Sequence, residues 1–159
     1  CSWLFFQSNL PYPSKLKAYL LKKFGANIGD GVVIRSSVNI KHPWRLNLGD
    51  HVWIGEGVWI DNLVNVTIGS NVCISQGAML LTGNHNYKSQ TFDLITGEIV
   101  LEDGVWIGAK CLVGPNVRCG SHSVLAAAST TFKDLEPYGI YQGNPSVKIR
   151  NRIISEQTL

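Results

Sequence analysis

A small or branched residue, usually apolar, returns every six positions along residues 101–131, and this period limits the possible folds more than any other feature. The repeating residues are Leu101, Ile107, Val113, Cys119, Leu125 and Thr131, and glycine follows at positions 108, 114 and 120. A period of six fits neither an α-helix, with about 3.6 residues per turn, nor a strand with two alternating faces. It fits a β-helix of hexapeptides, in which each unit forms one short strand and one corner.

The same period runs through the first half of the chain, with two interruptions of one kind. Steps of six join three sets of residues, and a step of eight separates each set from the next: Ile28, Ile34, Ile40; Leu48, Ile54, Ile60; Ile68, Ile74, Leu80. Three hexapeptides make one triangular coil, so the first members of the three sets are expected to lie above one another. Both longer steps fall at the same place in successive coils and predict longer corners. About five coils are expected.

Other segments flank or interrupt this repeat. Residues 1–27 comprise an N-terminal arm and a helix predicted over residues 15–24, with Ser14 as N-cap and Gly25 as its stop. Residues 28–132 form the β-helix, and turn-forming residues at 83–98 predict an inserted loop. Residues 133–159 form a C-terminal tail, in which Ile149 and the two isoleucines at 153–154 indicate a short helix. The expected fold is therefore an all-β parallel β-helix with these additions.

The N-terminal segment carries two patterns of apolar and basic residues. Helical spacing predicts a buried face made of Leu16, Tyr19, Leu20 and Phe24. The solvated side is then expected to consist of Lys15, Lys17, Lys22 and Lys23. In the arm, three large apolar residues follow Trp3, which indicates packing on the domain or on a neighbouring subunit, or else contact with a membrane surface.

Composition excludes several classes of protein. Hydrophobic residues make up 45% of the chain and charged residues 16%, which excludes a disordered chain. The net charge of +3 is mild, so no nucleic-acid partner is expected. The four cysteines form no C-x-x-C pair and no zinc spacing, so we expect no metal. Cys73, Cys111 and Cys119 occupy repeat positions, where they are expected to be small, buried, reduced hydrophobic residues. We therefore expect a cytoplasmic protein without signal peptide or membrane span. Because the first residue is Cys1, an N-terminal piece is expected to precede it.

Four features carry a likeness to a known family. They are the repeats, Thr82-Gly-Asn-His-Asn, Gly104-Val-Trp-Ile-Gly-Ala, and Lys133-Asp-Leu-Glu-Pro-Tyr with Gly143-Asn-Pro. With them the chain resembles the hexapeptide-repeat O-acetyltransferases, whose β-helix is left-handed, and among these the sugar acetyltransferases. The colanic-acid biosynthesis acetyltransferases are the most similar group, through Pro13-Ser-Lys-Leu-Lys, Phe24-Gly-Ala-Asn-Ile-Gly and the tryptophans at 53, 59 and 106.

The resemblance implies an acetyl-CoA-dependent acyltransferase that acetylates a sugar hydroxyl in exopolysaccharide or surface-polysaccharide biosynthesis. It also implies a homotrimer with active sites between subunits, and His85 as catalytic base. A hydroxyl is a poor nucleophile near neutral pH, and an imidazole can remove its proton as it attacks the thioester, with no covalent intermediate. The group that orients His85 is left open between a backbone carbonyl and a carboxylate of the loop. A backbone N–H on the Gly108–Ala109 side is the expected oxyanion donor.

The resemblance further implies a coenzyme groove between adjacent β-helices. The expected coenzyme contacts are Trp106 beside the thioester arm, Gly108, Ala109 and Ala127 along the pantetheine, and Lys133, Lys148 and Arg150 at the phosphates. The expected acceptor contacts are Asp61, Asn62 and Asn84.

Other functions are weighed against this one. His42, His51 and His122 are expected to be structural, and no H-x-x-x-x-H pair is present, which argues against a γ-class carbonic anhydrase. The insertion argues against a non-enzymatic or ice-binding scaffold. Another acceptor, such as a streptogramin or an amino sugar, remains an open alternative.

Overall fold

The chain forms a parallel β-helix with three faces, and the computed structural model describes residues 12–154. The first face contains β1 (Asn27–Ile28), β4 (Leu46–Leu48), β7 (Val66–Ile68), β12 (Ile99–Leu101) and β15 (Arg118–Cys119). The second contains β2 (Val33–Ile34), β5 (Trp53–Ile54), β8 (Cys73–Ile74), β13 (Trp106–Ile107) and β16 (Val124–Leu125). The third contains β3 (Asn39–Ile40), β6 (Trp59–Asp61), β9 (Met79–Leu81), β14 (Leu112–Val113) and β17 (Thr130–Thr131).

The register of the coils is the one that the period predicts. Ile28, Leu48 and Ile68 pair in one column, and the sets that begin at Ile34 and Ile40 form the other two. These side chains point inward and are buried. Each column fills one side of a narrow interior at the packing density of a protein core, which explains why small and branched residues recur.

The corners account for the remaining features of the repeat. The first eight-residue step contains a turn of 3-10 helix, Pro43–Arg45. His51 and His122 lie at corners of the repeat, as expected, with φ of 56° and 60°. The ring of His122 stacks on Tyr138 with centroids 4.9 Å apart.

The three described cysteines are free thiols. Cys111 and Cys119 are buried as expected, and burial raises the pKa of both. Cys73 differs from the expectation because it points outward from the second face and is only half-buried.

Helix α1 (Ser14–Lys23) lies against the first coil, but it is rotated from the predicted orientation. Leu21 and Lys17 face the coil, whereas Tyr19 and Phe24 are exposed. Lys17, expected in solvent, is 1% exposed, and its ammonium donates to the carbonyl of Arg35 at 2.7 Å. Burial, together with the nearby Arg35 charge, lowers the pKa of Lys17. A pattern of apolar residues cannot show this arrangement, because a lysine stem packs like an apolar side chain once its ammonium finds carbonyl partners.

The predicted N-cap is also wrong, although the helix itself is confirmed. The hydroxyl of Ser14 does not cap the helix; it bonds to the backbone of Ile34 on the first coil, donating to its carbonyl and accepting from its amide. Gly25 follows the helix with φ of 91°, a conformation that glycine adopts without strain.

The expected C-terminal helix is wrong. Residues 139–151 instead form an antiparallel hairpin of β18 (Gly139–Gly143) and β19 (Ser146–Asn151), and β18 stacks on β16 as the start of a sixth coil. Val147 and Ile149 are β-branched and favour a strand. The last coil also leaves unpaired backbone groups at its edge, which a further strand satisfies and a helix does not.

The insertion is a second hairpin, made of β10 (Gly83–His85) and β11 (Leu94–Thr96). It leaves the β-helix at the end of the third face, after β9, and the chain re-enters at β12 on the first face.

Candidate active site

A buried threonine fixes the point at which the inserted hairpin leaves the β-helix. Thr82 donates its hydroxyl to the carbonyl of Asp61 at 2.8 Å and accepts the amide of Leu63 at 2.8 Å. Its own carbonyl accepts the amide of Gly97 at 2.9 Å, which closes the base of the hairpin. With both ends held, the two strands pair in register as far as His85.

The imidazole of His85 is oriented by a backbone carbonyl across the hairpin. Its Nδ1 lies 2.6 Å from the carbonyl oxygen of Phe92. A carbonyl can only accept, so Nδ1 carries the proton and Nε2 keeps a lone pair. Phe92 has φ of 49°, a left-handed conformation that is uncommon for an aromatic residue. The sequence left the group that orients His85 open between a backbone carbonyl and a loop carboxylate, and in the structure it is the backbone carbonyl of Phe92.

Short polar side chains brace the turn that holds Phe92. The carboxylate of Asp93 accepts from Ser89 at 2.9 Å and from Thr91 at 2.6 Å, and these bonds lower its pKa. The side chain of Asn84 accepts the backbone amide of His85 at 2.8 Å. The exposed imidazole on β10 is therefore oriented by a turn that has its own hydrogen-bond network.

A groove of about 530 Å³ runs along the second face and the corner that follows it. Its lining residues are Ser75, Gln76, Trp106, Gly108, Ala109, Val124, Ala126, Ala127, Ile140, Gln142, Ile149, Arg150 and Arg152. It brings together most of the residues expected to contact coenzyme, namely Trp106, Gly108, Ala109, Ala127 and Arg150. Lys133 and Lys148 do not line it.

The floor of the groove is flat because successive coils touch through backbone atoms. A Cβ on Gly108 would lie 2.6 Å from the amide nitrogen of Ala127 and 2.8 Å from the carbonyl oxygen of Leu125, so only glycine fits. The amide of Gly108 donates to that same carbonyl of Leu125 at 2.8 Å. Within residues 12–154 the amide of Ala109 has no such partner, so Ala109 rather than Gly108 has an N–H to offer.

Trp106 forms one wall of the groove. Its indole Nε1 donates to the hydroxyl of Ser75 on the coil below, at 3.0 Å. The ring is thereby fixed across two coils while 47% of the residue stays exposed.

The basic residues of the C-terminal hairpin differ in their availability. The guanidinium of Arg152 donates to the carbonyls of Gly104 at 2.9 Å and His122 at 3.2 Å, so it anchors the hairpin. Lys148 bonds to the carboxylate of Glu136 at 2.6 Å, and this bond raises its pKa. Arg150 lines the groove and makes no side-chain bond to the described residues, which leaves its guanidinium available to an anion.

The residues expected to contact the acceptor lie near the root of the inserted hairpin. Asp61 pairs in register with Leu81, and its carboxylate lies 2.9 Å from the ammonium of Lys41. Asn62 is fully buried, and its amide group donates to the carbonyl of His42 at 2.6 Å and accepts the amide of His42 at 2.9 Å. That burial is a structural arrangement, so Asn62 is not carried into the proposed site, and the same bonds hold the backbone of His42.

The hairpin and the groove lie at different corners of one chain. The hairpin leaves after the third face, whereas the groove precedes that face, and no hairpin residue lines it. Between them, the third face presents an outward column that includes Trp59, Met79 and Leu112. A single chain therefore presents the histidine and the groove without joining them.

Comparison with known proteins assigns the family. The chain is 42% identical over 140 residues to the "Putative colanic acid biosynthesis acetyltransferase WcaF" of Escherichia coli (strain K12), covering 88% of this chain and 77% of that protein. The chain belongs to the hexapeptide-repeat acetyltransferases. Galactoside O-acetyltransferase of the same strain is 27% identical over 152 residues, covering 92% of this chain and 75% of that protein. No protein-family model matches the chain.

A solved structure shares the fold of this acetyltransferase. It is a hexapeptide-repeat acetyltransferase of Vibrio cholerae O1 biovar eltor complexed with acetyl coenzyme A, which matches with a TM-score of 0.84 at 24% identity, over 92% of this chain and 81% of that one. The expectation of an acyltransferase that transfers acetyl groups is confirmed by the family. Within residues 12–154, none of the helices has the length and apolar character needed to cross a bilayer.

Sequence reasoning missed several residues of the acetyltransferase groove, for two different reasons. Ser75 and Gln76 lie one coil below Gly108 and Ala109, since β8 pairs with β13. The period alone would have placed them, so that signal was present. Gln142, Ile149 and Arg152 depend on the C-terminal hairpin, which the sequence did not indicate.

Proposed function

We propose that this acetyltransferase transfers the acetyl group of acetyl-CoA to a sugar hydroxyl, with His85 as general base, in the cytoplasmic synthesis of a surface polysaccharide. The observation that carries the proposal is the 2.6 Å contact between Nδ1 of His85 and the carbonyl of Phe92. It keeps the lone pair on Nε2, which faces away from the hairpin backbone partner and can accept the hydroxyl proton. The oxygen then attacks the thioester carbonyl directly, and the proton passes to the leaving thiolate.

The groove is the proposed coenzyme site. Ala109 and Ala127 leave room for a pantetheine arm against the coils, Gly108 permits the close coil contact beneath it, and Trp106 stands beside the arm. The free guanidinium of Arg150 suits a phosphate. Lys133 and Lys148 are proposed to contact the coenzyme phosphates only beyond the groove, and Lys148 must first leave Glu136. The amide of Ala109 is the proposed donor to the oxyanion.

The acceptor is proposed to lie near the root of the inserted hairpin. Asn84 and Asp61 offer polar groups there, on either side of the buried Thr82. Asp61 already pairs with Lys41, so an acceptor hydroxyl would share that carboxylate with the lysine.

We further propose a homotrimer in which each active site joins the hairpin of one subunit to the groove of the next. Two features support it: one chain separates His85 from the groove by a whole face, and the hairpin exposes Tyr87, Phe92, Leu94 and Ile95. Exposed apolar surface of this kind is typical of an interface. A closed ring of identical subunits would repeat the same contact at each boundary.

Two inactive variants test the shared site. His85→Ala removes the base and Ala127→Trp fills the groove, and each is expected to abolish turnover of acetyl-CoA, measured as free thiol, while the oligomer persists in size-exclusion chromatography. In trimers mixed at random from equal amounts, about one quarter of the boundaries combine an intact hairpin with an intact groove, so about a quarter of the activity should return. Mixed trimers without activity would show that the site lies within one chain, and near-normal turnover by His85→Ala would refute the base.

The acceptor is tested separately with the unmodified enzyme. Nucleotide sugars, free glycosides and lipid-linked oligosaccharides are offered with acetyl-CoA, and acetylated product is identified by mass. Turnover restricted to a streptogramin or an amino sugar would overturn the sugar-hydroxyl assignment. The role of His85 would still be tested by the mixing experiment.

A further inference from the structure

The net positive charge of the chain comes from the N-terminal segment that carries α1. Asp30 is the first acidic residue, and the 29 residues before it contain four lysines. The remaining residues contain ten basic and eleven acidic side chains, so their net charge is −1. The formal charge of +3 therefore comes from the segment that carries α1.

The outward face of α1 displays most of this charge around an aromatic ring. Lys17 is turned inward, whereas Lys15, Lys22 and Lys23 are exposed together with Tyr19. The ammonium of Lys23 lies 5.6 Å from the centroid of the Tyr19 ring. The side chains share this face because burial of Lys17 and Leu21 directs it away from the first coil.

Two further exposed aromatic residues lie near the C-terminal end of α1. Phe24, directly after the helix, is 52% exposed, and Trp44 is 59% exposed. The Cβ of Trp44 lies 3.0 Å from where a Cβ on Gly25, the residue after Phe24, would stand, and the centroid of the Trp44 ring lies 5.0 Å from that of His42. We name Lys15, Tyr19, Lys22, Lys23, Phe24 and Trp44 the terminal basic patch.

We propose that the terminal basic patch docks the enzyme on an anionic membrane surface. Lysines within reach of anionic headgroups supply the electrostatic attraction, and aromatic rings beside them sit at the headgroup level. Asp30, at the edge of the patch beside Lys15 and Lys22, is the one carboxylate among the residues that line this side of α1. The patch lies at an end of the solenoid, because α1 packs on β1 and β2 of the first coil.

Exposed aromatic residues favour a bilayer over a DNA duplex as the partner. Phosphate binding by lysine alone would not require Phe24 and Trp44 in solvent, whereas insertion at a lipid interface uses both. The next step rests on the proposed trimer. If its axis runs along the β-helix, all three subunits present their terminal basic patches at the same end of the trimer. Three weak contacts to one surface then act together.

The test is sedimentation of the full-length protein with vesicles of phosphatidylglycerol and phosphatidylcholine at a 30:70 ratio, compared with phosphatidylcholine alone. Binding to the anionic vesicles that weakens with salt is expected. Each lysine near such a surface contributes roughly fivefold in partition, so Lys22→Glu with Lys23→Glu should lower binding by about 25-fold or more. Phe24→Ser with Trp44→Ser should lower it on the order of tenfold.

Matched variants elsewhere on the surface serve as controls. Lys110→Glu with Arg118→Glu makes the same charge change, and Val147→Ser with Ile153→Ser removes exposed apolar groups at the other end of the β-helix. Both pairs should bind like the unmodified protein, and thermal unfolding checks that all variants fold. The proposal would be overturned if the charge control lost vesicle binding to the same extent, or if the patch variants kept their vesicle binding. Binding to a DNA duplex that is unchanged in the aromatic variants would also overturn it. Vesicle binding is measured without substrates, so its outcome does not depend on the proposed reaction.

Discussion

Gly108→Ala is predicted to separate two coils and damage the proposed coenzyme groove with a single added methyl group. The Cβ would stand 2.6 Å from the nitrogen of Ala127, 2.8 Å from the carbonyl oxygen of Leu125 and 2.9 Å from the carbonyl carbon of Ala126. All three are backbone atoms, so no side chain can rotate to make room. An ordinary contact begins at 3.4 Å, and the coils must therefore part by up to about 0.8 Å.

The cost follows from the contacts that are lost. Overpacking of this kind costs about 1–3 kcal/mol. The hydrogen bond from Gly108 to Leu125, now 2.8 Å, lengthens as the coils part, and a backbone bond contributes about 1 kcal/mol. The sum is about 2–4 kcal/mol, which corresponds to a fall in Tm of roughly 4–16 °C for a domain of this size. Because Ala127 is also part of the groove floor, KM for acetyl-CoA should rise more than kcat falls.

Gly57→Ala is the matched control for this experiment. Gly57 has φ of 66° and no atom within 4 Å of an added Cβ, so alanine there causes backbone strain without a clash. Its cost is about 1 kcal/mol, with KM unchanged. Thermal unfolding is measured at one fixed protein concentration, since an oligomer unfolds in a concentration-dependent way. If Gly108→Ala lowers Tm no more than Gly57→Ala and leaves KM unchanged, the close coil contact does not shape the groove.

Two further predictions concern the hairpin root and the first face. Thr82→Val keeps the shape of the side chain but removes the two 2.8 Å bonds of its hydroxyl, so that the carbonyl of Asp61 and the amide of Leu63 keep only backbone bonds of 3.2 Å. It should destabilise the protein by about 1–3 kcal/mol and lower kcat through misplacement of His85, with KM for acetyl-CoA retained in steady-state kinetics. An unchanged kcat would contradict the role of the hairpin root. Glu102 accepts bonds from Ser121 and Arg118 that lower its pKa, so its stabilising contribution is complete above the unfolded pKa of roughly 4.3 and is lost as pH falls through the lower folded value. The difference in Tm between the unmodified protein and Glu102→Gln should therefore shrink between pH 6 and pH 3, and a difference that does not change with pH would contradict this linkage.

The period of six was sufficient to predict the scaffold because each coil must bury one small or branched side chain per face in the same narrow interior. Ile28, Leu48 and Ile68 occupy equivalent positions, so an error at one of them would conflict with the others. The groove inherits this predictability, since Gly108 and Ala109 lie directly above Ser75 and Gln76 in the stacked register.

The ends of the β-helix were predicted less well, because no repeat constrains them. At the first coil, Lys17 is buried against the carbonyl of Arg35, a contact between residues that no local spacing relates. At the last coil, the open edge of β16 pairs with β18, and residues 146–151 pair with β18 in turn, although Ile149 and the isoleucines at 153–154 suggested a helix. The burial of Lys17 and the C-terminal hairpin both satisfy backbone groups that the neighbouring coil would otherwise leave unpaired. Hydrophobic periodicity carries no information about those groups.

His85, the proposed base, combines both situations. The motif around His85 was sufficient to propose a base, but the partner of Nδ1 depends on Phe92, seven residues along the chain and in a left-handed backbone conformation. Apolar periodicity does not predict that a phenylalanine will take this conformation, because it follows from the network of Ser89, Thr91 and Asp93 in the same turn. The insertion therefore has to be rigid by its own hydrogen bonds, since it departs from the scaffold that makes every other coil rigid. A base on so short a hairpin can serve a groove on the far side of the third face only if a neighbouring chain brings that groove to it, which is why the mixing experiment tests the mechanism as well as the assembly.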